Sequence, residues 1–342
     1  MRAAFRADAS AAIGCGHAMR CRVLAGELRR RGIDSLFLCA GAPDGPFELL
    51  ERDGFPCRRL PPAASPEADA DACAALLPPD LRILVVDHYA LDRRWETPLR
   101  RPEIVLLAID DLADRPHDCD VLLDQNLVPR MRHRYDDLVP PSCVRLLGPD
   151  FALLRDEFRA PPALAREAGR PRLLISFGGT DPANLTARTL REIEDLPLPA
   201  DVVLGAAAPS LPEIADLCRR HPDRWTLHVQ TRRMADLMAR ADLAVGAGGS
   251  SQWERCALGL PALVVAVADN QVLPSRLLAE RGACRYLGEC RDLKNGDLRR
   301  NLEDLLRDPA TLAAMGRAAR SLLPDAHGAR RVADVLLQKV NP

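Results

Sequence analysis

His17 is the side chain in this sequence best placed to move a proton. It follows Gly14 and Gly16 in IGCGHAMRC, where a helical pattern begins. An imidazole at a helix start beside two glycines can reach a bound molecule, and a positioned base of this kind contributes on the order of 10²–10⁴-fold in rate. The competing reading is a polar loop histidine with no chemical task. A second stretch, GAGGSSQWERCALGLP at residues 246–261, follows the apolar run Leu243-Ala244-Val245. Ser250 and Ser251 each have a side chain able to cap a helix from about Gln252 to Leu258, which Gly259 and Pro261 stop. Free N–H groups at such a turn can hold a phosphate, although an ordinary strand-to-helix turn is written with the same residues. Glu254 lies one helical turn on, where it accepts from a ribose diol or stays solvated. Asp87, His88, Asp110, Asp111 and His117 are metal-ligand types, but their spacing is not diagnostic, and strand-end carboxylates also cap helices and order loops. No metal and no cofactor is assigned.

The elements that must carry these residues alternate between strand and helix. Arg2–Arg6 reads as a strand, and the helix opening at His17 shows Met19, Val23, Leu24 and Leu28 on one face and stops at Gly32. Ser35–Ala40 completes a βαβ unit. Further buried strands are expected at Cys57–Leu60, Arg82–Val86, Ile104–Ile109, Val121–Leu123 and Val144–Leu147, then at Leu173–Phe177, Val202–Leu204, Thr226–Val229 and Leu263–Val267. The polar clusters all follow strands: residues 14–17, 87–89, 110–111, 178–181, 246–251 and 269–271. Ligands bind outside the carboxyl ends of strands in open α/β sheets. The expected architecture is therefore α/β, with two Rossmann-like doubly wound parallel-sheet domains facing a cleft. Residues 1–149 would form the first domain, the proline- and charge-rich residues 150–172 the linker, and residues 173–325 the second domain. Residues 326–342 would be a helix packing back on the first domain.

Composition narrows the function classes. The 342 residues carry a net charge of −1, with 47% hydrophobic and 28% charged, so neither nucleic acid nor a basic membrane surface is expected as a partner. No run approaches the ~20 apolar residues of a membrane span, and the first residues lack the apolar core of a secretory signal. The eleven cysteines include no CxxC pair and fit free thiols in a reducing cytoplasm. A nucleophile elbow, a Walker loop and a spaced GxGxxG are all missing, which removes support for serine hydrolase, P-loop NTPase and Rossmann dehydrogenase readings.

Six blocks, in order, resemble one family: RADAS at 6–10 with IGCGHAMRC at 13–21, VVDHY at 85–89, DDLADRPHDCDVLLDQN at 110–126, SFGGTDPAN at 176–184, the stretch 246–261, and ADNQ at 268–271. They are similar to the PseG family, the UDP-2,4-diacetamido-2,4,6-trideoxy-β-L-altropyranose hydrolases of pseudaminic acid biosynthesis. The resemblance spans about residues 1–290. It implies a GT-B fold like that of MurG and metal-independent, inverting hydrolysis of a UDP-sugar at its anomeric carbon. By matching position, His17 would activate the water, and Tyr89 and Asn270 would line the sugar and reacting centre. Gly14 and Gly16 would border the substrate. Gly178, Gly179, Thr180, Gly249, Ser250 and Ser251 would lie near the phosphates, Glu254 would bind the ribose, and Gln271 would help hold the ligand. The alternatives are a GT-B glycosyltransferase using a UDP-sugar donor, a hydrolase for a related nucleotide-sugar, and a non-catalytic nucleotide-sugar binding protein.

Overall fold

The computed structural model describes residues 1–8, 16–40, 46–159 and 170–340. Chain contacts divide it into two units, one of Met1–Leu154 with His327–Pro342 and one of Arg155–Ala326. In the first unit the chain runs β1 (Arg2–Ala7), α1 (Gly16–Arg30), β2 (Asp34–Ala40), α2 (Pro46–Arg52), β3 (Cys57–Leu60) and α3 (Pro66–Ala74). It continues with β4 (Leu81–Asp87), α4 (Arg93–Leu99), β5 (Val105–Ile109), β6 (Val121–Asp124) and β7 (Val144–Leu147). These seven strands form a parallel sheet in the order β3-β2-β1-β4-β5-β6-β7. Strands buried on both faces carry continuous apolar runs, as in the ILVV at residues 83–86 of β4.

One face of that sheet is covered by α1, whose Cys21, Leu24, Ala25 and Leu28 are buried at helical spacing. Gly32, at φ 77°, ends α1, with the Ile33 N–H reaching back to the Leu28 carbonyl. The opposite face packs on Ala70 and Cys73 of α3 and on Trp95 and Leu99 of α4.

The second unit contains β8 (Leu173–Ser176), α5 (Leu185–Glu192), β9 (Ala200–Leu204), α6 (Leu211–Arg220), β10 (Trp225–Val229) and α7 (Met234–Arg240). Next come β11 (Leu243–Ala247), α8 (Ser251–Leu258), β12 (Ala262–Ala266), α9 (Val272–Glu280) and β13 (Arg285–Glu289). The helices α10 (Asp297–Leu306) and α11 (Pro309–Leu322) close the unit, and α12 (Gly328–Val340) belongs to the first unit. The six strands are parallel in the order β10-β9-β8-β11-β12-β13. Counted from its own first strand, this sheet repeats the 3-2-1-4-5-6 order of a doubly wound sheet. The order reverses between β8 and β11 here, and between β1 and β4 in the first unit.

Most expected elements are present within a few residues, and three details differ. The alanine-rich residues 67–77 predict a helix over that whole span, and α3 ends at Ala74. Strand β13 and helix α9 went unread, because Arg285–Glu289 has only partly buried residues, and Pro274 interrupts the α9 pattern as a helix stop would. Ser250 and Ser251 do not cap α8 with their side chains. Ser250 is in the helical region, at φ −55° and ψ −26°, and makes no capping bond, while the Ser251 hydroxyl accepts from Arg255 at 3.2 Å. Among the described residues no helix is long and apolar enough to cross a membrane, and ten cysteines are free thiols.

Candidate functional site

In the first unit, polar side chains converge at the carboxyl end of the sheet, where its strand order reverses. Register sets Ala7 of β1 beside Asp87 of β4. His17, in the first turn of α1, is carried over that edge. Its Nδ1 lies 2.5 Å from Asp87 Oδ1. Asp87 is fully buried, and Arg20, one turn after His17 on the same face of α1, grips both carboxylate oxygens at 2.6 and 2.7 Å. Burial opposes charge on Asp87, but the attraction of Arg20 and His17 outweighs it and holds the carboxyl well below the usual range. An anionic oxygen at this distance requires Nδ1 to carry the proton and donate it. The contact from Arg20 Nη2 to the same nitrogen is longer, at 3.4 Å, and would need the opposite tautomer, so the carboxylate prevails. In the neutral ring the lone pair of His17 is then on Nε2, which is the arrangement a general base needs.

Tyr89 meets His17 edge-on, with ring centroids 4.5 Å apart. Its hydroxyl donates to Asp111 Oδ2 at 3.2 Å. Asp111 also accepts from Arg20 at 2.9 Å and from Asn126 Nδ2 at 2.8 Å. Burial and the negative charge of Asp111 push the Tyr89 phenol up, so Tyr89 acts here as a neutral donor. The carboxylates and histidines considered as metal ligands do not share one site. His88 pairs with Asp8 at 3.2 Å, while His117 lies between Glu96 at 2.7 Å and Asp110 at 3.8 Å. Asp87 and Asp111 are held by Arg20. Among the described residues no three His, Cys, Asp or Glu side chains are grouped to hold a metal ion. Asp8, of the first sequence block, is an anchor: it pairs with buried Arg6, which forks to Asp69, itself bonded by Trp95 at 2.8 Å.

In the second unit, the glycine turn leaves β11 at the corresponding reversal point. Gly246 pairs with Ser176 of β8, and a Cβ at Gly246 would stand 2.3 Å from the Ser176 carbonyl, so only glycine lets the strands approach there. A Cβ at Gly248 would meet the Ser275 hydroxyl at 2.1 Å, and one at Gly249 would lie 3.6 Å from Gln271 Nε2. The structure therefore brings Gly248, Gly249, Gln271 and Ser275 together. Among the described residues, the N–H groups of Gly248, Gly249 and Ser250 donate to no protein acceptor. Gln271 accepts from the Val267 N–H at 3.1 Å. Gly178, at φ 101°, Gly179 and Thr180 follow β8, and the Gly179 carbonyl accepts from Gly205 at 2.9 Å. Glu254 faces Arg155 at 3.2 Å. Asn270 is exposed in the short turn Asp269–Gln271. Gly16 is the first residue of α1, and Gly14 lies outside the described residues.

The sequence marked Asp87 and Asp111 only as metal-ligand types, not as partners of His17 and Tyr89, and it did not mark Arg20, Asn126, Arg255 or Ser275. The usable signal was polarity out of place: Arg20 is buried with Cys21 and Leu24 in α1, and Arg255 with Trp253 and Cys256 in α8.

Similarity to known proteins follows the same lines. Residues 227–334 match the glycosyltransferase family 28 C-terminal domain. The fold matches the crystal structure of Acinetobacter baumannii MurG with a TM-score of 0.67 at 16% identity, covering 98% of this chain and 99% of that one. This is a GT-B-fold chain. Its sequence is 26% identical over 285 residues to the UDP-2,4-diacetamido-2,4,6-trideoxy-β-L-altropyranose hydrolase of Campylobacter jejuni, covering 82% of this chain and 97% of the relative. The resemblance carried by the six sequence blocks thus extends along most of the chain. An uncharacterized protein of Methanocaldococcus jannaschii is 24% identical over 274 residues, and the match spans 55% of its length.

Proposed function

We propose that this chain is a UDP-sugar hydrolase that releases UDP and 2,4-diacetamido-2,4,6-trideoxy-L-altrose with inversion at the anomeric carbon. The observation that carries the reading is His17 with its Nδ1 held by Asp87 beside Tyr89, a constellation suited to water activation. Similarity to the Campylobacter hydrolase over nearly its whole length supports the substrate class. The water oxygen forms a bond to C1 while the C1–O bond to the diphosphate breaks. The water proton passes to His17 Nε2, and the bonding electron pair leaves with UDP. Charge builds on C1 as an oxocarbenium-like centre, which Tyr89 and Asn270 line. Gly178, Gly179, Thr180, Gly249, Ser250 and Ser251 serve the phosphates, where free N–H groups stabilise the growing charge on the leaving group. Glu254 receives the ribose, and Gln271 helps hold the ligand. The setting would be cytoplasmic, in pseudaminic acid biosynthesis.

A second reading is transfer of the sugar to an acceptor, favoured by the glycosyltransferase family 28 match. Proton NMR of the purified protein with the UDP-linked sugar, in chelator and without acceptor, separates the two. Prompt appearance of UDP and inverted free sugar is expected. An intact substrate in that tube would reject hydrolysis of this sugar and move the transferase, or a hydrolase for a related nucleotide-sugar, to the front.

A further inference from the structure

Arg255 is 4% exposed, in the middle of α8. Its side chain runs back toward the helix N-terminus, as long helical side chains do. Its guanidinium meets the Ala247 carbonyl at 2.8 Å and the Ser251 hydroxyl at 3.2 Å. Both partners are neutral. Among the described residues Arg255 forms no ion pair, and the adjacent carboxylate, Glu254, is engaged by Arg155 at 3.2 Å. The other ionisable side chains acting on it are the buried thiols of Cys256 and Cys284. Every other fully buried arginine named above, Arg6 and Arg20, is clasped by two aspartates. An uncompensated buried guanidinium is unusual because burying a charge is costly unless an opposite charge meets it.

Its position suggests where that opposite charge comes from. A Cβ on Gly246 would lie 3.4 Å from Arg255 Nη1, so the guanidinium sits directly behind the strand end that pairs with β8. The N–H groups of Gly248, Gly249 and Ser250, which follow that strand end in the chain, donate to no acceptor among the described residues. The Ser275 hydroxyl, fully buried and without a hydrogen-bond partner, is aimed at Gly248. Donors and positive charge accumulate at this turn, and among the described residues no carboxylate pairs with Arg255; Glu254 acts on it only at a distance.

We propose that Arg255 is a positioning residue that supplies a fixed positive charge behind the glycine turn, compensated by the diphosphate of the bound nucleotide. The inference rests on the nucleotide reading above and assigns a further residue to it. Arg255 acts through the turn: it holds the Ala247 carbonyl inward, so the following N–H groups stay outward, and its field adds to that of the α8 N-terminus. Because it stabilises the departing diphosphate, its loss should lower turnover as well as affinity.

The test compares UDP with uridine, which keeps the base and ribose and lacks the phosphates, by calorimetry or ligand-observed NMR. Arg255→Met keeps most of the side-chain volume and removes the charge, and Arg255→Lys returns it. The expected result is an affinity for UDP weakened by about tenfold or more in R255M, uridine affinity unchanged within about twofold, and recovery of most UDP affinity in R255K. Equal loss for both ligands would mean that Arg255 only holds the fold, and unchanged UDP affinity would mean that its charge is not felt; either result overturns the proposal. Should R255M not fold by circular dichroism, R255K and R255Q give the same comparison, with Lys retaining UDP selectivity and Gln losing it. If the unaltered protein fails to bind UDP, the nucleotide reading falls, and this inference with it.

Discussion

Asp87 fixes which nitrogen of His17 is basic, so the two residues should fail differently. His17→Ala removes the base: turnover should be lost while UDP affinity, measured by calorimetry, is retained. Asp87→Asn keeps the shape but lets the amide donate to Nδ1, which favours the tautomer with the proton on Nε2. Turnover should fall by roughly 10²–10⁴-fold with the substrate KM little changed, because the lesion is in the proton acceptor. Undiminished turnover in His17→Ala would reject His17 as the base, and undiminished turnover in Asp87→Asn would reject Asp87 as the residue that sets its tautomer. Glu254→Ala should weaken UDP binding, and equal affinity by calorimetry would remove Glu254 from the nucleotide site. A separate titration belongs to stability. Burial disfavours charge on His117, yet Asp110 and Glu96 overcome it and push the imidazole up to about 9. The folded form is thus raised above the unfolded histidine value of about 6.5, so its stabilisation is complete below that pH and is lost as pH rises through about 9. The shift corresponds to a contribution on the order of 3 kcal/mol. Unfolding at pH 6.5 and 9.5, compared with His117→Gln, should show the loss in the unaltered protein and little of it in the variant.

At the scale of elements, the glycines around α8 matter through close approach. Gly259 ends α8 at φ 61°, and its carbonyl would lie 2.7 Å from a Cβ added at Gly316 of α11. Backbone must move to admit that methyl, so Gly316→Ala should destabilise the α8–α11 contact by about 1–3 kcal/mol despite the better helix propensity of alanine. Faster hydrogen exchange in α8 and α11, with β1 and β4 unchanged, is the expected signature. Sequence reading found the glycine turn and the helix but misassigned the serines. Their capping depends on backbone torsions, and the helical conformation of Ser250 leaves its hydroxyl unable to serve the first turn.

Across the whole molecule, each unit has its own sheet and core, and the chain returns to the first unit in α12. Val332, Ala333 and Leu336 are fully buried there, in the same cluster as Leu24, Leu28 and Val85. Leu336→Ala should cost about 2–5 kcal/mol, depending on how far the cavity collapses. Because two units need not unfold together, hydrogen exchange should be followed in each. Exchange should accelerate in β4 and β5 and stay level in β11 and β12. Equal acceleration in both would contradict unit-specific packing of α12.

The alternation of strand and helix, the polar loops after the strands and the two-sheet architecture were legible in the sequence, because parallel strands must be apolar on both faces and helices on one. The position of His17 at the start of α1 was legible for the same reason. Its partner was not: Asp87 lies 70 residues away and reaches it only because β1 and β4 pair in register. A lone aspartate after a strand reads equally as ligand, cap or loop anchor, and only tertiary contact with His17 and Arg20 distinguishes these. Arg255 repeats the point. Its letter is that of any helix arginine, and what sets it apart is burial against neutral oxygens with no ion pair among the described residues, a property of the packed chain.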